Sequence, residues 1–128
     1  MLYPQGLYAE LLQKRSADPA TSWTAKLMQG GTTSISKKIS EEATELALAA
    51  RELELARTKA LPQPADNQKI QQLVAHTSNE AADLLYHYLV LLAHLDIPTE
   101  TVCAILETRR GTSGIAEKRY RNQDSNGS

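Results

Sequence analysis

The amino-acid sequence predicts an all-α protein of about five helices. Apolar residues recur at helical spacing along the chain, and no segment alternates apolar and polar residues as a strand would. With no Phe and one Trp, the core must be filled largely by Leu, Ala and Ile, which suits packed helices. At 128 residues the chain is long enough for one domain with a substantial core. We expect this domain to span residues 1–110, followed by a polar, flexible C-terminal tail at residues 111–128.

Two short helices are predicted at the start of the chain. Residues 7–12 carry apolar side chains at helical spacing, and Pro19 ends this pattern because its ring fixes φ and disfavours the α region in the preceding residue. Ser22 is a suitable N-cap for a brief second helix over residues 23–28.

Two long helices joined by a loop follow. The Gly30-Gly31 pair predicts a turn, after which one of residues 32–34 caps a helix over residues 35–54 that contains neither Gly nor Pro. Residues 61–67 have the composition of a loop. The helical pattern resumes over residues 70–95, which form the second long helix.

A last helix is predicted from Pro98, which suits a first helical turn, to about residue 110. Cys103 lies in this helix and is the only cysteine, so neither an internal disulfide nor a thiolate metal site can form. Its neighbours in sequence are apolar, which predicts a buried thiol.

The charge and the N-terminus exclude several function classes. A formal net charge of -1 gives no general attraction to nucleic acid, so any anion site must come from a local group of Lys and Arg. The N-terminus lacks a basic start followed by an apolar run, and no stretch approaches the roughly 18 apolar residues of a membrane span. We therefore expect a cytoplasmic protein that binds neither nucleic acid nor a membrane.

The first long helix directs acidic side chains toward its apolar face. Each helical residue advances by about 100°, which places four apolar residues within about 40° of one another. Glu42 points into the middle of this stripe, Glu45 lies at its edge, and Glu41 lies just beyond Glu45. The stripe consists of Ile35, Ile39, Leu46 and Leu53.

The second long helix repeats this arrangement. Glu80 lies inside its apolar stripe and Asp83 flanks the stripe on the same side. His87 lies near the acidic edge, where it can hydrogen-bond a ligand carboxylate from outside the ligand set or serve as a core or interface histidine. The stripe consists of Leu73, Leu84, Leu91 and Leu95.

Acidic side chains at the apolar stripes of both long helices predict a site for a divalent metal ion. Burying an ionised carboxylate without a partner costs several kcal/mol or more, and of the nearby lysines only Lys38 lies on the acidic side of its helix. Acids three residues apart project together, so two pairs on packed helices form an all-oxygen cage suited to Mg²⁺, with Mn²⁺ possible. The alternative is a solvated acidic face. A di-iron site needs Glu-x-x-His, and a zinc site HExxH; the sequence has neither.

Three segments of the chain carry a family likeness: residues 22–27 (SWTAKL), 37–45 (KKISEEATE) and 79–87 (NEAADLLYH). Together they resemble the phosphoribosyl-ATP pyrophosphohydrolases. The broader likeness is to the MazG-like all-α nucleotide pyrophosphohydrolases, marked by EExxE on one helix and ExxD on the next. The resemblance covers about residues 7–110 and implies a MazG-like helical bundle.

Two positions depart from the family pattern. Ser40 stands where the family commonly has Gly, and Ser is compatible with a helix. The interval between Glu45 and Glu80 is longer than is typical, with the extra length around residues 51–72. We expect it to be absorbed as helix extension and a longer hairpin loop.

The resemblance implies Mg²⁺-dependent hydrolysis of the α–β phosphoanhydride of phosphoribosyl-ATP to phosphoribosyl-AMP and pyrophosphate, the second step of histidine biosynthesis. Glu41 is assigned as a further ligand or as the group that orients and deprotonates the attacking water. The expected metal ligands are Glu42, Glu45, Glu80 and Asp83. Cations that can bind the phosphates of this small nucleotide substrate, or else be solvated surface groups, are Lys26, Lys37, Lys38, Arg109 and Arg110.

A homodimer is expected, both from the resemblance and because residues 84–95 are apolar all round and need further cover. Since no zinc-binding Cys pattern is present, we expect a stand-alone enzyme without the cyclohydrolase to which some family members are fused. Two alternatives stay open. One is a housecleaning hydrolase of non-standard nucleoside triphosphates, and the other is a non-catalytic helical dimerisation module.

Overall fold

The computed structural model describes residues 5–111 and 121–124. Across these residues the chain is helical with no strand, which confirms the all-α prediction. A further single helical turn covers residues 121–124. The main helices are α1 (Gln5–Lys14), α2 (Trp23–Gln29), α3 (Gly31–Lys59), α4 (Pro64–His94) and α5 (Thr99–Thr108).

The N-terminus of α2 is capped as predicted, whereas the N-terminus of α3 is not. The backbone N–H of Ala25 donates to Oγ of Ser22 at 3.2 Å, which confirms the Ser22 cap. The expectation of a cap within residues 32–34 is wrong, since α3 already begins at Gly31. Gly31 has φ +76°, a left-handed value that a residue without Cβ adopts freely. Residues 32–34 lie inside the first turn of α3.

The extra length between the acidic motifs is taken up by helix rather than by loop. Helix α3 runs 29 residues and α4 runs 31, and residues 60–63 alone connect them, so the expected longer hairpin loop is wrong. Pro64 starts α4, where its missing N–H is no loss because a first-turn N–H has no helical partner. Asp66 Oδ2 accepts the backbone N–H of Leu61 at 3.0 Å and the side-chain amide of Gln63 at 3.1 Å, which tightens the connection.

The apolar stripes are buried in part. Ile35 and Leu53 on α3 and Leu73 on α4 are buried, and the remaining α3 stripe residues are half-buried. Leu95 is 47% exposed, which contradicts its predicted place in the stripe. The reason is that α4 ends at His94 and Leu95 caps it, so the side chain leaves the helical register. The side chains most fully buried are Leu11, Ile35, Leu89 and Val90.

The chain divides into two compact units between Ile97 and Pro98. In the second unit Pro98 is the N-cap of α5 and not part of its first turn. Cys103 is exposed, so the predicted buried thiol is wrong. Ile105 and Leu106 are 48% and 60% exposed on the same helix, which shows that apolar neighbours in sequence do not provide a core here.

The predicted domain organisation stays a prediction. The single domain expected over residues 1–110 is not tested, and most of the tail expected at residues 111–128 lies outside the described residues. Taken singly, none of the described helices is long and apolar enough to cross a membrane.

Candidate metal centre

Packing of α3 against α4 brings three of the predicted acids together. Glu42 on α3 is buried at 8% exposure, the side chain of Glu80 on α4 is 15% exposed, and Asp83 lies exposed at the edge. One carboxylate oxygen from each of the three lies within 4.8 Å of the others. The helical periodicity that aimed Glu42 and Glu80 at their apolar stripes therefore places both at the contact between the two helices.

Glu45 adjoins this three-acid group through Glu80. The pKa of Glu80 is raised above its ordinary value, first because its side chain hydrogen-bonds to that of Glu45, then because of desolvation and repulsion from Glu45 and Glu42. His76 opposes this shift, with Nδ1 at 3.9 Å from Oε1 of Glu80. The acids thus carry more negative charge than the described side chains around them compensate.

The residues present fit a hard divalent cation. Oε2 of Glu42 and Oε2 of Glu80 are buried with no hydrogen-bond partner, and an unpaired buried acceptor costs about 1–3 kcal/mol, or more when it is charged. The donor set is entirely oxygen, which suits Mg²⁺ or Mn²⁺ over the softer transition metals. A cation held by the three carboxylates would compensate the charge of the buried Glu42 and of its neighbours.

Glu41 lies outside the three-acid group. Its carboxylate Oε2 forms an ion pair with Nζ of Lys38 at 3.5 Å, and its side chain is 44% exposed. Nζ of Lys38 also lies 5.8 Å from the centroid of the Trp23 ring, a cation–π distance. Glu41 is therefore open to water beside the acids, and Lys38 connects it to α2. Lys37, on the next position of α3, is exposed.

His87 is buried, and its side chain is hydrogen-bonded within its own helix. Its Nδ1 lies 2.7 Å from the main-chain oxygen of Asp83 and so acts as the donor, because a carbonyl only accepts. The sequence allowed either a hydrogen bond to a ligand carboxylate or a core or interface histidine, and the role of His87 stays a prediction. Its Nε2 is buried without a hydrogen-bond partner.

The other predicted cations are spread over the molecule. Lys26 is exposed on α2 and lines an open cavity of about 480 Å³ together with Trp23 and Gln29. Arg109 caps the C-terminus of α5 in the second unit. Arg110 Nη1 pairs there with Glu107 Oε1 at 3.1 Å.

Sequence reasoning missed one connection near the acids. The hydroxyl groups of Thr24 and Tyr86 form a hydrogen bond that ties α2 to α4, three residues beyond Asp83. Thr24 is 2% exposed. Both residues lie in the segments that carry the family resemblance, but nothing in a single sequence pairs two side chains 62 positions apart.

Comparison with known proteins agrees with the motifs. The family model described as phosphoribosyl-ATP pyrophosphohydrolase matches residues 5–110. A phosphoribosyl-ATP pyrophosphatase of Roseobacter denitrificans is 39% identical over 90% of this chain and 91% of its own length. One from Agrobacterium fabrum is 42% identical over 85% and 84% of the two chains. The histidine biosynthesis bifunctional protein HisIE of Wolinella succinogenes is 42% identical over 90% of this chain and 42% of its own length.

No solved structure matches the chain. The family model and the relatives nevertheless cover nearly all of the described helices, including both acidic motifs. They confirm the resemblance that the three sequence segments predict. The chain belongs to the phosphoribosyl-ATP pyrophosphohydrolase family.

Proposed function

We propose that this chain hydrolyses phosphoribosyl-ATP to phosphoribosyl-AMP and pyrophosphate in histidine biosynthesis, as a cytoplasmic homodimer. The observation that carries the proposal is the group formed by Glu42, Glu80 and Asp83, with two buried carboxylate oxygens that have no partner. Membership of the family supplies the substrate. A nucleotide with several phosphate groups needs compensating positive charge, and an acidic site can hold it only through a cation.

The residues proposed to hold Mg²⁺ are the three acids of this group together with Glu45, which contacts Glu80. When bound, the ion supplies positive charge for the phosphate oxygens and for the leaving pyrophosphate. The buried position of Glu42 orients its carboxylate, because packing restricts its rotamers. His87 holds the main-chain oxygen of Asp83 and so fixes the helical turn that carries this acid.

Glu41 is the proposed general base. It directly precedes the proposed ligand Glu42 in α3, its side chain is accessible to water, and its carboxylate is oriented by the ion pair with Lys38. It accepts a proton from the attacking water as the oxygen–phosphorus bond forms and the anhydride bond breaks. Phosphate groups of the substrate are proposed to pair with Lys26, Lys37 and Lys38.

The experiment that tests this proposal measures pyrophosphate release from phosphoribosyl-ATP with and without Mg²⁺. We compare wild type, Glu42→Gln and Glu52→Gln, a matched control on the exposed surface of α3. The expected result is Mg²⁺-dependent release that falls at least about a hundredfold in Glu42→Gln and is unchanged in the control.

Other outcomes separate the parts of the proposal. Cleavage of free nucleoside triphosphates without cleavage of phosphoribosyl-ATP would show that the proposed substrate is wrong. The proposed metal site would still stand. Equal loss in Glu42→Gln and Glu52→Gln would refute the site. Metal binding with hydrolysis of neither substrate would support a non-catalytic dimerisation module.

A further inference from the structure

The side chain of Trp23 is largely exposed to solvent and is not packed in the core. It is the only tryptophan of the chain and the first residue of α2, and it is 53% exposed. The next two residues, Thr24 and Ala25, are 2% and 4% exposed, so this helix is well buried while its largest apolar side chain is not. Exposed aromatic surface beside a concave site is typical of ligand recognition.

The cavity beside the ring has the size and the groups of a small-molecule site. Its volume of about 480 Å³ falls within the roughly 300–1,000 Å³ of ligand pockets. Trp23 contributes an aromatic face, Lys26 a cation and Gln29 an amide, and the turn over residues 19–22 closes the lining. One flat ring next to one cation matches a heterocyclic base that carries phosphate.

Two contacts connect this cavity to the acidic helices. Lys38 lies over the Trp23 ring at 5.8 Å and pairs with Glu41 at 3.5 Å, which joins the ring to the acidic motif of α3. The hydrogen bond between Thr24 and Tyr86 joins the neighbouring residue of α2 to the acidic motif of α4. Lys38 therefore links the ring to Glu41 on α3, and the adjacent residue of α2 is bonded to α4.

We propose that Trp23 is the stacking platform for the purine base of the substrate, with Lys26 in the same cavity binding a phosphate. This inference rests on the proposed function, because it assigns the nucleoside end of the same nucleotide whose anhydride the acids serve. Stacking of a base on an aromatic side chain is tolerant of base identity. Trp23 thus selects nucleotides over polyphosphates that lack a base.

The single tryptophan gives a direct test on the unmodified protein. ATP and AMP are titrated separately into the full-length chain in saturating Mg²⁺ while tryptophan fluorescence is recorded; AMP has no anhydride bond, and any hydrolysis of ATP leaves AMP, which keeps the base. We expect saturable quenching by ATP and by AMP, since all the signal comes from Trp23. Pyrophosphate and ribose 5-phosphate, which carry no base, should leave the signal unchanged. Absence of quenching by ATP, or equal quenching by pyrophosphate, would overturn the assignment.

A kinetic test uses variants of the same residue. Trp23→Leu keeps an apolar side chain without an aromatic face, and its KM for phosphoribosyl-ATP should rise about tenfold or more, with a much smaller change in kcat. Trp23→Phe restores a ring and should recover most of the affinity. Leu61→Ala is the matched control, an equally exposed apolar residue at the α3–α4 connection, 60% exposed. An equal KM rise in the Phe and Leu variants would refute stacking.

The two proposals fail separately. If phosphoribosyl-ATP is not hydrolysed but ATP quenches Trp23, the stacking platform stands and the reaction is wrong. If hydrolysis occurs in the wild type and ATP does not quench, the reaction stands and Trp23 is not the platform.

Discussion

Replacing Glu42 by Gln should stabilise the metal-free protein and remove its stabilisation by Mg²⁺. The substitution keeps the shape of a side chain that is only 8% exposed and removes its charge. Without metal, one oxygen of Glu42 is buried without a partner and lies among the carboxylates of Glu80 and Asp83. Because these groups repel one another, the neutral amide relieves a cost that the folded state bears and the unfolded state does not.

The expected size follows from the burial of this one group. An unsatisfied buried acceptor costs about 1–3 kcal/mol, and Gln recovers part of this because its amide nitrogen donates to a neighbouring carboxylate. We expect the free energy of unfolding in EDTA to rise by about 1–2 kcal/mol. For a chain of this length the melting temperature then rises by roughly 3–8 °C.

Mg²⁺ should reverse the order of stability. A ligand present at about 100 times its dissociation constant stabilises the native state by about 2.7 kcal/mol. The wild type gains this term, whereas Glu42→Gln has lost a central carboxylate and gains little. Wild type is therefore the less stable protein in EDTA and the more stable one in saturating Mg²⁺.

The assay is thermal denaturation followed by circular dichroism, in EDTA and in a series of Mg²⁺ concentrations. Glu52→Gln on the exposed surface of α3 should stay within about 0.5 kcal/mol of wild type in both conditions. If Glu42→Gln lowers the melting temperature in EDTA and keeps the full response to Mg²⁺, Glu42 is an ordinary core residue and the reasoning is refuted.

Three further predictions concern the scaffold. Thr24→Val removes the hydrogen bond to Tyr86 and leaves that hydroxyl without its partner, so urea denaturation should show a loss of about 1–2 kcal/mol; no loss would mean that the bond is not formed in solution. Leu89→Ala truncates a side chain 1% exposed on α4 and should cost about 2–5 kcal/mol, whereas Val74→Ala, at 37% exposure, should cost far less. Light scattering at micromolar concentration should give twice the 14.1 kDa of one chain, and a monomer mass would contradict the homodimer.

Local sequence patterns determined the helices and the direction of the central acids. A helix turns by about 100° per residue, so the positions of Glu42 and Glu80 within apolar stripes follow from spacing alone. The structure brings both to the α3–α4 contact, with Glu42 buried and Glu80 half-buried. The Ser22 cap is equally local, because the donor lies three residues away. A pattern that depends only on neighbours within one helical turn can be recognised from the sequence alone.

The tertiary structure decided what depends on distant partners. Residues 64–67 lie in α4 although their composition suggests a loop, and α4 packs against α3 more extensively than any other pair of the described helices. Cys103 and Leu95 are exposed despite apolar neighbours in sequence. The bond between Thr24 and Tyr86 likewise joins residues far apart in the chain. Periodicity specifies the direction of a side chain on its own helix, but burial and contact require a second element at that position, and only the packed chain supplies it.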